Sequence, residues 1–132
     1  MRKTSILLGI ALSAVIASQA ADPDIKKLPA PAAKTGLTYD ADIKPMFEKS
    51  CFKCHGPEKQ KAKLRVDSLA AVKKGGEDGD VLSVGKSEKS RLVHSVARIL
   101  DEDENMPPEG KGDPLTKDQV ALIRAWIDQG AK

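Results

Sequence analysis

CFKCHG, residues 51–56, holds both cysteines of the 132-residue chain and one of its two histidines. Two thiols separated by two residues and followed at once by histidine form the attachment signature of c-type haem. The spacing has a chemical reason. Two thiols add as thioethers to the two vinyl groups on one edge of the macrocycle, and the next imidazole is then held beneath the iron. On this reading Cys51 and Cys54 carry one haem c covalently and His55 is the proximal iron ligand. Other chemistries use parts of the pattern. A thioredoxin-like pair also has C-x-x-C but expects a βαβ setting, and no strand pattern surrounds this one. A structural zinc site wants four ligands, which here means adding His94 to Cys51, Cys54 and His55. A plain disulfide suits an oxidising compartment but leaves His55 without a purpose.

Composition agrees with a large apolar body supplied from outside the chain. Between residue 37 and the C-terminus stand four aromatics, Tyr39, Phe47, Phe52 and Trp126. A domain this small buries a modest share of its surface and often needs a staple.

A second stretch, DEDENMPPEGKG at 101–112, places a methionine in a stiff polar loop outside any helical period. Methionine is normally core filler. Electron-transfer haem iron takes a sixth ligand, and a thioether opposite histidine raises the reduction potential relative to two nitrogens. Pro107 biases Met106 toward extended backbone, and Pro108 does the same to Pro107. The loop is thereby partly ordered before ligation, which lowers the entropy cost of holding sulfur on iron. Met106 is therefore the expected distal ligand. His94 is the rival, and Met46 falls on a helix face as core.

The N-terminus reads as an export signal: Arg2 and Lys3, the apolar ILLGIALSAVI at 6–16, then small residues before a cleavage point after Ala20. The apolar core is shorter than the ~20 residues that span a bilayer. Cleavage leaves no integral membrane segment, and export implies the periplasm. Residues 21–36, rich in Pro, Ala and Lys, read as a flexible tether. The formal charge of +3 counts Arg2 and Lys3; without them 20 basic residues face 19 acidic ones. That balance gives no case for nucleic-acid binding.

From residue 37 the chain reads as short helices joined by loops, an all-α class. TYDADIKPMFEKSC carries Tyr39, Ile43, Met46 and Phe47 at helical spacing, with Asp40 or Asp42 as cap and Pro45 in the first turn. Asp67 caps a short helix through SLAAVKK, ended by Gly75 and Gly76. SEKSRLVHSVARIL, 87–100, puts Leu92, Val93, Val96, Ile99 and Leu100 on one face behind a Ser87 cap. The last helix opens with a TKDQ capping box at 116–119, carries Val120, Ile123, Trp126 and Ile127, and ends at Gly130.

Taken in order, IKPMFEKSCFKCHG, KLRVDS, KKGGEDGDVLSVGKSEKSRL, MPP and LIRAWIDQGA resemble a class I-type cytochrome c domain of the planctomycete-type subgroup, over residues 39–131. The resemblance implies a small bundle of short helices and loops around one covalent haem. It also implies Cys51 and Cys54 as attachment points, His55 proximal, Met106 distal, and crossing first and last helices.

The function that follows is an exported monohaem electron carrier, not an enzyme, with redox proteins as partners. The alternative is a haem-based sensor in which Met106 is displaced by a ligand. Local charge suggests docking faces: Lys53, Lys59, Lys61, Lys63 and Arg65 near the proximal ligand, and Asp101 to Glu104 before Met106. Arg65 is also a candidate partner for a haem propionate.

Overall fold

A computed structural model describes residues 22–132. The expected export signal, 1–20, lies outside the described residues. The architecture is all-α, as the periodicity predicts. Among the described residues five short α-helices are joined by loops and single turns: α1 Lys44–Ser50, α2 Phe52–His55, α3 Leu69–Lys74, α4 Arg91–Val96 and α5 Lys117–Asp128. Among the described residues the only β-type pairings are two isolated bridges, His55 with Gln60 and Gly76 with Gly79.

The first and last helical segments meet, as the resemblance implies. A wide turn, Tyr39–Ile43, runs straight into α1. Tyr39 is fully buried, its ring 6.1 Å from that of Trp126 on α5 and 6.3 Å, edge-on, from that of Phe47 on α1. Ile43, Ile123 and Ile127 complete this centre, and Val72 of α3 and Val93 of α4 extend it. The stripe predicted for α5 is buried along its length. Thr116 and Gln119 form the reciprocal capping box: Thr116 N–H donates to Gln119 Oε1 at 2.8 Å and Gln119 N–H to Thr116 Oγ1 at 3.2 Å.

Three capping expectations are corrected. Thr38, not Asp40 or Asp42, caps the first segment, its hydroxyl accepting from Ala41 N–H. Asp42 instead reaches back to Thr38 N–H at 2.9 Å and pairs with Lys34 at 2.5 Å. Ser68, not Asp67, caps α3, because Asp67 is occupied by Arg65. Ser87 does not open one long helix. It begins a short 3-10 turn, and α4 starts only at Arg91 and stops at Val96, leaving Ile99 and Leu100 in the following loop. The buried Ser87 donates its N–H and hydroxyl to Asp128 at 2.7 and 2.9 Å, tying this turn to the end of α5.

The stretch expected as a tether is docked over its second half. Ala32 N–H donates to Ala121 O at 2.9 Å, and Gln129 Nε2 to Lys34 O at 2.8 Å. Arg124 Nη1 donates to Pro29 O. Leu28 and Ala32 lie against the core and Leu37 is buried in it. The apolar residues spaced among the prolines give this segment a face to lay along α5.

Candidate haem-binding site

α1 ends where the signature begins. Cys51 N–H still donates to Phe47 O at 2.7 Å, and both Cys54 N–H and His55 N–H then donate to Cys51 O, at 3.1 and 2.8 Å. The cysteine pair and the histidine therefore share one tight turn. Gly56 closes it because nothing larger fits: a Cβ there would stand 2.3 Å from Phe52 O.

Beyond Gly56 the chain folds back under His55. Gly56 N–H donates to Lys59 O at 2.9 Å, and Val66 N–H to His55 O at 2.8 Å. Between them Ala62 and Lys63 adopt left-handed backbone, φ 54° and 53°. This brings Lys61 O to 3.1 Å from His55 Nδ1. A carbonyl only accepts, so Nδ1 carries a proton, and in the neutral ring Nε2 keeps its lone pair. Such a bond fixes the tautomer and ring orientation of a ligating histidine and raises its basicity. No side-chain pattern marks the group that does this, since the acceptor is a backbone atom of an ordinary lysine. The Tyr39 hydroxyl, donating to Val66 O, ties this proximal loop to the core. Burial, then Asp67 and Asp40, push that phenol above its ordinary range.

A second loop closes against the proximal one at Gly76, where a Cβ would meet Ala62 O at 2.7 Å. Glu77 N–H donates to Ala62 O at 2.8 Å across the same contact. The third segment is the strap. Met106 is half-buried and its N–H donates to Ser95 O of α4 at 3.0 Å. The preceding Asn105 is buried, its side chain bridging the N–H and the carbonyl of Leu100 at 3.3 Å each.

These three segments enclose a cavity of about 250 Å³, with Cys51, His55 and Met106 all in its lining. Ala62, Leu64, Val66, Val81, Leu92 and Val96 supply apolar wall, and Glu77, Asp78, Asp80, Asp103 and Glu104 stand around it with Arg91. Arg91 pairs with Glu104 at 2.6 Å and reaches Asp78 at 3.9 Å. Cys54 is half-buried in the same turn as Cys51 but is not part of the lining. Both cysteines are free thiols, and burial pushes the Cys51 thiol up to about 12. A thiol so placed is poor as a redox nucleophile, which sets it apart from a thioredoxin-type cysteine.

His94 stands elsewhere. It is buried on α4 with Nε2 2.7 Å from Glu88 O, outside the cavity lining. Among the described residues no three His, Cys, Asp or Glu side chains are grouped to hold a metal ion, so the zinc set is not assembled. Arg65 is also committed, forming a bidentate pair with Asp67 at 2.9 and 2.6 Å.

An apolar cavity holding a thiol, an imidazole with a free Nε2 and a thioether fits the haem that the motif predicts. A family model described as planctomycete cytochrome C matches residues 51–110. The match supports a planctomycete-type cytochrome c domain over these residues. Such a domain implies a covalently bound haem c and redox protein partners, in a family that generally carries electrons. The match takes in the signature, the proximal loop and the strap; α1 and α5 lie outside it. No curated protein and no solved structure matches this cytochrome domain. No helix among its described residues is long and apolar enough to cross a membrane.

Proposed function

We propose that this cytochrome is an exported, periplasmic one-electron carrier with a single haem c, bound through thioethers at Cys51 and Cys54 and ligated by His55 and Met106. The observation that carries the reading is the convergence of Cys51, His55 and Met106, from two distant parts of the chain, on one apolar cavity. When bound, the group supplies reversible one-electron exchange at iron, between Fe(III) and Fe(II).

The chain's own residues do the rest. Cys51 and Cys54 fix the group's edge on the turn at the end of α1. His55 presents Nε2 because its Nδ1–H is held by Lys61 O. Met106 offers a neutral, weakly basic sulfur, which favours the reduced state relative to a second imidazole. Leu64, Val66, Val81, Leu92 and Val96 exclude water, and a drier site costs the more highly charged oxidised iron more than the reduced one. The carboxylates around the cavity, balanced only by Arg91 in its lining, give partners a charged surface to recognise.

The visible spectrum of protein exported from cells with haem-attachment machinery tests this. A sharp reduced c-type band together with the weak far-red sulfur-to-iron band in the oxidised form is the expected result, with no change on adding carbon monoxide to the reduced form. A c-type spectrum without the sulfur band refutes Met106, and a carbon monoxide shift moves the protein to the ligand-binding class. A colourless protein refutes the whole reading.

A further inference from the structure

The segment that holds the strap carries one residue whose backbone and side chain pull in opposite directions. α4 ends at Val96, Ala97 caps it, and Arg98 follows at φ 58°. Helices commonly close in this way with glycine, because a side chain in left-handed backbone is strained. Arg98 N–H donates to Ser95 O at 3.2 Å, a bond that glycine would make equally well. What arginine adds is its guanidinium: Nη1 donates to Pro107 O at 2.7 Å.

That bond lies immediately after Met106. Asn105, immediately before it, is held to Leu100, and Met106 itself to Ser95. Three consecutive residues are thus tied to the segment 95–100, and Arg98 supplies the tie on the C-terminal side. It is also the only charged donor among the three, and charge-assisted hydrogen bonds are roughly twice as strong as neutral ones.

We propose that Arg98 is a positioning residue that holds Met106 in place as an iron ligand and so resists its replacement by small molecules. The proposal rests on Met106 being the distal ligand. It assigns the strained backbone at residue 98 a purpose that lies in the side chain alone.

The test uses the haem-loaded, oxidised protein and imidazole as the competing ligand, followed by loss of the sulfur-to-iron band, alongside thermal unfolding of the same samples. Arg98→Ala keeps the strain and removes the tie; Arg98→Gly removes both. Both are expected to bind imidazole about tenfold more tightly than wild type, the size expected for loss of one such hydrogen bond. The glycine variant should unfold at a higher temperature than the alanine variant. Arg98→Lys, retaining a cationic donor, should recover part of the resistance. If glycine restores wild-type resistance while alanine does not, the residue acts through backbone alone and the proposal is overturned. It is overturned equally if the band is present and no variant changes imidazole affinity. A wild-type protein lacking the band removes Met106 as ligand, and the proposal falls with it.

Discussion

Tyr39→Phe isolates one hydrogen bond between the core and the proximal loop. The ring sits fully buried between Phe47 and Trp126, and phenylalanine preserves both contacts. What is lost is the hydroxyl that donates to Val66 O, leaving that carbonyl without its buried partner. Val66 N–H still donates to His55 O, so the slackened segment is the one that holds the proximal histidine. A neutral hydrogen bond is worth about 1 kcal/mol net, rising to about 3 kcal/mol when a buried acceptor is stranded. For a domain of this size each kcal/mol lowers Tm by roughly 4–8 °C. The expected fall at neutral pH is therefore roughly 4–24 °C. The same substitution has a second signature at high pH. Burial, followed by Asp67 and Asp40, raises the phenol above its unfolded value of about 10. A raised pKa contributes stability that is complete below about pH 10 and is lost as pH rises through the folded value. Tyr39 is the chain's single tyrosine, so its contribution can be removed whole. Thermal unfolding of both proteins from pH 7 to 11 should show a steeper alkaline loss in wild type than in Tyr39→Phe. Equal melting temperatures at pH 7 with parallel alkaline slopes would refute the reasoning.

Gly76→Ala forces a Cβ to 2.7 Å from Ala62 O, and overpacking of this kind costs about 1–3 kcal/mol; the denaturation midpoint should drop and less haem should be retained, whereas an unchanged midpoint would mean that the two loops separate freely. Cys51→Ala should impair haem incorporation more than Cys54→Ala, because Cys51 lines the cavity and Cys54 does not; the haem content of the two purified proteins, and the red-shifted band of a singly attached haem, decide this. Arg91→Gln breaks the links to Glu104 and Asp78, but Arg91 is 46% exposed, so the loss should stay below about 1 kcal/mol and vanish in high salt. A large, salt-independent loss would show that those links are not surface ion pairs.

The parts legible in the sequence were those governed by short-range rules. The capping box at Thr116 and the stripe of α5 need only a period and a spacing, and both stand where expected. CFKCHG encodes its own turn, since the bonds that build it span four residues or fewer. Met106 was singled out by its incongruity, and it lies in the cavity lining. Its supports were hidden, because the side chains of Asn105 and Arg98 pair with backbone atoms, and Ser95 offers its own carbonyl, so no side-chain pattern marks them. The cap errors share one origin: several polar side chains near a helix start are equivalent in sequence, and partners outside the helix decide between them. Asp67 was claimed by Arg65 and Ser87 by Asp128. The Pro-rich segment looked independent for the opposite reason, since its hydrogen bonds are made to residues some ninety positions later, with separations reaching 95.

The docking of that early segment and of Tyr39 on α5 also sets an order of events. A chain that emerges N-terminus first delivers its cysteine pair long before Trp126, the residue against which Tyr39 must close. Until then the core lacks its central aromatic contact, and non-local pairings of this kind are made late because the intervening chain must first be brought together. The turn holding Cys51 needs only bonds to residues four or fewer positions away, so it can form before α5 is in place. The turn that carries the cysteine pair is thus built from local bonds, while the aromatic contact that locks it to the core waits for α5.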